Sequence, residues 1–136
     1  MSNTSIKLRS ALVVCLLVSM LIFVHPRPTT LASPKPDAPF ETRCGWFQNP
    51  TPANIWLDDR DGEWMIGVQG GYQVEDDWEW PAFKKGQWVE TNGHHGYGCA
   101  CMRLRVDRES RHVLEIKSST ARPLSACRKD PHLKHL

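Results

Sequence analysis

The sequence predicts an all-β or mostly β fold: a small antiparallel barrel or sandwich stapled by two disulfides. Three observations predict it. Short runs in which apolar residues recur at every second position are separated by glycine-containing turns. No stretch of ten or more residues keeps a helical period. Four cysteines, an even number, lie beyond an N-terminal export-type segment, as in small domains that need covalent support.

Residues 1–32 read as a signal peptide. Lys7 and Arg9 are the only charges in the first ten residues, and Ala11 to Val24 is then a run of 14 residues without a charge. The run is shorter than the roughly 18 to 20 apolar residues that span a bilayer, and Pro26 and Pro28 stop its helical extension, so no stable membrane span is expected after processing. Thr30-Leu31-Ala32 sets small residues three and one before a cut after Ala32. Cys15 follows the bulky Val14 with almost no apolar segment ahead of it, and is read as part of the signal and not as a lipid attachment point. A periplasmic or secreted location follows.

Cleavage after Ala32 leaves 104 of the 136 residues, which is one domain. A chain of that size buries only about two-thirds of the surface its unfolded form exposes, so its core is thin. The cut also removes Lys7, Arg9 and Arg27, turning the formal charge of +2 into −1, with 14 basic residues against 15 acidic ones. Such a domain lacks the basic excess that neutralises phosphates, which excludes nucleic-acid binding.

Residues 33–42, with Pro34, Pro36 and Pro39, form an extended Pro-rich leader, and residues 43–128 form a single disulfide-linked β domain. Asn54 to Asp58 sets Ile55 and Leu57 on one face, and Glu63 to Gln69 sets Trp64, Ile66 and Val68 on one face. Asp61-Gly62 between two alternating runs is a strong hairpin signal, because glycine supplies the positive φ of such turns. Val74 to Pro81, with Glu75, Asp76, Asp77 and Glu79 around Trp78 and Trp80, is a loop. Turns at Lys85-Gly86 and Asn92-Gly93 bracket a short strand, Gln87 to Thr91. The longest strand follows, with Ala100, Met102, Leu104 and Val106 facing the core and Tyr97, Cys99, Cys101, Arg103 and Arg105 on the other face. Asp107 to Arg111 turns the chain into a second hairpin whose strand, His112 to Ser119, points Leu114 and Ile116 inward. Residues 129–136 are a flexible basic tail.

Cys44, Cys99, Cys101 and Cys127 allow three pairings. On a strand, Cys99 and Cys101 sit about 6.6 Å apart between Cα atoms, at the long edge of what a disulfide accepts. Each is therefore expected to reach a distant partner, one Cys44 and the other Cys127, with the choice between them open.

The blocks Arg43-Cys44-Gly45-Trp46, Asn49-Pro50-Thr51-Pro52, Asp59-Arg60-Asp61-Gly62-Glu63-Trp64 and Gln69-Gly70-Gly71-Tyr72 stand in one order with Thr91-Asn92-Gly93, Gly96-Tyr97-Gly98-Cys99-Ala100-Cys101 and Pro123-Leu124 before Cys127. In this series the chain resembles an exported bacterial family, the domain of unknown function 4087. The resemblance covers essentially the whole mature domain, with Glu75 to Phe83 matching least. It implies export and the four cysteines, and it carries no activity.

Three kinds of chemistry are weighed on the residues. Cys99-Ala100-Cys101 is a candidate redox pair, but a strand with two further cysteines in reach suits structural half-cystines better than a helix-borne redox site. Adjacent His94 and His95 point to opposite sides of a strand and do not chelate one ion, and Asp59-Arg60-Asp61-Gly62 lacks the later acids of a calcium loop, so no metal and no cofactor are expected. No nucleophile elbow accompanies Ser110 and His112, so no catalytic residue is assigned. Six tryptophans in the mature chain are several times ordinary usage. Trp78 and Trp80 share one face of an extended segment flanked by acids and head the candidate binding surface, with Trp46, Tyr72, His94 and His95 as its other ring side chains. The expected function is a non-catalytic envelope protein that binds a partner protein or a cell-wall glycan. The alternatives are a small periplasmic hydrolase or thiol-redox enzyme, and a structural subunit of an envelope complex.

Overall fold

The structure is a computed structural model that describes residues 38–75 and 77–136. The expected signal peptide and the part of the expected leader before Ala38 lie outside the described residues. Six strands and one short helix follow one another: β1 (Glu41–Thr51), β2 (Asn54–Asp59), β3 (Gly62–Gly67), β4 (Trp88–Asn92), β5 (His95–Asp107), β6 (His112–Arg122) and α1 (Leu124–Arg128).

The Asp61-Gly62 hairpin joins β2 to β3, and Gly62 has a φ of +106°, where a side chain would be strained and would meet the Arg111 guanidinium. β1 pairs antiparallel with both β2 and β5, and β6 pairs antiparallel with β5. The sheet order β1-β2-β3-β6-β5-β4, with β1 also on β5, bends the sheet round on itself. Only one parallel residue pair, Met65 with His112, closes the seam between β3 and β6. The architecture is therefore sandwich-like and not a regular barrel. β4 covers only the start of β5, from His95 to Gly98.

Along β5 the two-residue period divides the side chains as the pattern dictates. Ala100, Met102, Leu104 and Val106 point inward against Phe47, Ile55, Leu57, Trp64 and Ile66. The outer face carries a second apolar cluster, in which Trp46 and Cys99 meet Leu124, Cys127 and Leu133. α1 is one turn long and too short to hold itself. Its buried Leu124 and Cys127 and the Cys99–Cys127 disulfide tie it to the sheet. The second disulfide, Cys44–Cys101, joins directly opposed residues of β1 and β5.

Three expectations are corrected. The leader gives way to β1 already at Glu41, so residues 41 and 42 belong to the sheet. In β6 the buried pair is Val113 and Ile116 and not Leu114 and Ile116, because register shifts between Arg103 and Leu104 and between Arg105 and Val106 rotate the strand. The basic tail is docked: Leu133 is buried in the outer cluster, Arg60 donates to Asp130 at 2.8 Å, and the Trp46 indole donates to the Lys134 carbonyl at 2.8 Å. A single leucine finds an apolar site there, and polar neighbours hold it in place. Among the described residues no helix is long and apolar enough to cross a membrane.

Candidate functional site

Phe47, fully buried in β1, is the hub of an aromatic group at one end of the sheet. Around it stand Trp78, Trp80, Phe83 and Trp88, with ring centroids 6.3, 5.2, 6.0 and 6.3 Å from its own. Trp88 opens β4, and the connection from β3 to β4 delivers three of these five rings. It is anchored at its start by the Val74 amide on the Ile66 carbonyl at 3.0 Å, and further on by the Ser119 hydroxyl on the Glu79 carbonyl. Gly98 lets the connection approach β5, since a Cβ there would collide with the Phe83 ring and the Gln87 carbonyl.

Residues 78 and 80 are two apart on an extended chain, so their side chains emerge on one side. Their rings stack, 6° from parallel with centroids 5.8 Å apart. Trp78 is half-buried against the core. Trp80 is 46% exposed, and Phe47 braces it edge-on. The exposed carboxylates Glu75, Asp77 and Glu79 flank the pair in the sequence. The arrangement is a fixed aromatic shelf in an acidic segment of the chain.

The other expected members of that surface lie elsewhere. Trp46 is 1% exposed and belongs to the outer core under the tail, which corrects its assignment as a contact residue: the docked tail covers it. Tyr72 donates its hydroxyl to the Val113 carbonyl at 2.6 Å and stacks on His112. Burial pushes its phenol above the usual range, and the charges of Glu75 and Asp107 add to the shift. His95 shares a 2.7 Å hydrogen bond with Asn49, whereas His94 stands free in solvent, 3.7 Å from Glu90. Among the described residues no three His, Cys, Asp or Glu side chains converge as metal ligands.

A second feature is a polar cleft of about 430 Å³ beside the start of β1. At its base Arg43 is buried, with its guanidinium on Asp59 at 2.6 Å, Asp61 at 2.9 Å and Glu41 at 2.9 Å. Burial works against the Arg43 charge, but those hydrogen bonds outweigh it and raise the pKa above its ordinary value. The hydrogen bond and charge of Arg43 hold Asp61 below the usual carboxylate range. Asp59 also accepts from the Trp64 indole at 3.0 Å, and the ring of Trp64 lies between the guanidinium groups of Arg43 and Arg111 at 4.1 and 3.9 Å. Arg60 and Arg108 stand at the rim, each paired with an acid. Cys44 lines the same cleft.

The model of the family described as protein of unknown function, DUF4087, matches residues 38–134. The chain belongs to this family. No curated protein and no solved structure matches it. The matched span of the DUF4087 domain contains the shelf, the cleft, all four half-cystines and most of the docked tail. Its two disulfides are the chemistry of an oxidising environment outside the cytoplasm.

Of the residues singled out in the sequence, the structure joins Trp78 with Trp80. Phe47, Phe83 and Trp88, which brace them, have no pattern in the sequence, because their contacts cross tens of residues. Arg43 did leave a signal: a charged residue within the Arg43-Cys44-Gly45-Trp46 block, matched by the closely spaced Asp59 and Asp61.

Proposed function

We propose that the DUF4087 domain is an exported, non-catalytic binding module that holds a neutral cell-wall glycan on the Trp80 shelf. It reaches the periplasm or the medium through a signal peptide cleaved after Ala32. The observation that carries this reading is Trp80, which is half exposed yet braced by the rings of Trp78 and Phe47. A ring fixed before binding loses little entropy when a ligand stacks on it. The flat face of a pyranose matches the flat face of an indole.

Two points favour a glycan over a protein partner. Trp80 and Leu136 are the exposed large apolar side chains among the described residues, each 46% exposed, so no broad apolar patch exists. Stable protein interfaces bury on the order of 800 Å² per partner, whereas one sugar ring needs one indole. The exposed acids Glu75, Asp77 and Glu79 of the same segment also disfavour anionic polymers.

Titration with soluble oligosaccharides of N-acetylated amino sugars, followed by tryptophan emission and calorimetry, tests the reading. Saturable binding is expected, weakened about tenfold by Trp80→Ala, as an aromatic contact of about 1.4 kcal/mol implies. Absence of binding, or binding that Trp80→Ala leaves unchanged, overturns it. Hydrolysis of the oligosaccharide would replace it with the hydrolase alternative.

A further inference from the structure

The two disulfides occupy opposite environments. Cys99 and Cys127 are 2% and 3% exposed, sealed in the outer apolar cluster where they fasten α1 and the tail. Cys44 is exposed and Cys101 partly so, and Cys44 opens onto the polar cleft. Access of a thiolate to a disulfide sulfur controls exchange, and exposed bridges are the labile ones. We propose that Cys44–Cys101 is a thiol–disulfide exchange site that is reduced by an external dithiol, while Cys99–Cys127 is a permanent staple.

The sheet permits this chemistry without unfolding. Cys44 and Cys101 are one of nine facing pairs between β1 and β5, running from Glu41 with Leu104 to Asn49 with Gly96. Opening the bridge frees the unfolded chain but leaves the native ladder paired on both sides of the break.

In the first step a thiolate of the dithiol attacks Sγ of Cys44, the S–S bond breaks, and the electron pair leaves on Sγ of Cys101, which takes up a proton. In the second step the remaining thiol of the reductant, losing its proton, attacks its own sulfur in the mixed disulfide. The Cys44 thiolate departs and takes up a proton. Two electrons and two protons have passed to the bridge, and the dithiol has become a disulfide.

The experiment uses the oxidised full-length exported protein, exposed under native conditions to rising dithiothreitol, quenched with iodoacetamide and peptide-mapped by mass spectrometry. Cys44 and Cys101 are expected to be alkylated together, at least about tenfold faster than Cys99 and Cys127, while near-ultraviolet circular dichroism keeps its native form. Glutathione in place of the dithiol should leave its adduct on Cys44. Simultaneous opening of both bridges, opening only on unfolding, or an adduct confined to Cys101 overturns the proposal.

Discussion

Replacing Arg43 with alanine separates two physical pictures of the network beneath the polar cleft. An ion pair at a protein surface is worth about 0–1 kcal/mol. A buried pair behaves differently, because removing one partner strands the other charge, at a cost of about 3–5 kcal/mol. The geometry favours the second picture: the side chains of Arg43 and Asp59 are each 6% exposed and 2.6 Å apart. After the substitution Asp59 keeps only neutral donors, the Trp64 indole at 3.0 Å and the Asp61 amide at 2.8 Å. Trp64 meanwhile loses one of the two guanidinium groups over its ring, keeping that of Arg111, which adds to the loss. Arg43→Ala is therefore expected to destabilise the domain by about 4 kcal/mol, a fall in Tm on the order of 20 °C for a domain near 100 residues. Urea unfolding followed by tryptophan emission measures it. The double variant Arg43→Met/Asp59→Leu removes both charges and should recover most of the loss. A loss below about 1 kcal/mol for Arg43→Ala, with an unchanged urea slope, would refute the buried-pair reasoning.

Trp46→Ala should cost about 3–5 kcal/mol, the range for truncating a large core ring, and Trp80→Ala about 1 kcal/mol, since it is half exposed; equal costs in thermal melts would contradict this division. Acid should unfold the protein through three aspartates whose pKa values lie below the usual range: Asp61 through Arg43, Asp107 through the Ser110 hydroxyl, and Asp130 through the His132 amide. Their contribution is complete above the ordinary carboxylate pKa of about 4 and disappears as pH falls through the lower folded values. Urea midpoints should therefore hold between pH 7 and 5 and drop below about pH 4, and a midpoint that stays level to pH 2 would show that these hydrogen bonds do not bear on stability.

Strands with one wet face were legible. β2, β3 and β5 alternate because one side meets the core, and Ile55, Leu57, Trp64, Ile66 and the inward set of β5 are buried as their spacing implied. β1 was not legible, and the reason is physical. Its inner face meets the core through Phe47 and its outer face meets α1 and the tail through Trp46, so consecutive residues are both buried and the two-residue period is erased. β6 misled by one position where register shifts insert a residue. One turn of helix is too short to leave any period.

The site was legible to the same extent and for a related reason. Trp78 and Trp80 could be paired because two residues of extended chain place side chains on one face, which is a local rule. Exposure is not local: Trp46 and Trp80 have the same composition signal, and what separates them is Leu133, 87 residues from Trp46 in a short, mostly polar tail. The disulfide choice was open for the same cause. Cys99 and Cys101 share a face, and only the register of β1, which sets Cys44 opposite Cys101, decides which of them is left for Cys127. That register also makes the two bridges chemically unlike. The one within the ladder faces the cleft and solvent, and the other is sealed by the segment it fastens. A difference in reactivity between the two cystines is thus a consequence of pairing, and it would vanish if β1 slipped by two residues to set Cys44 against Cys99.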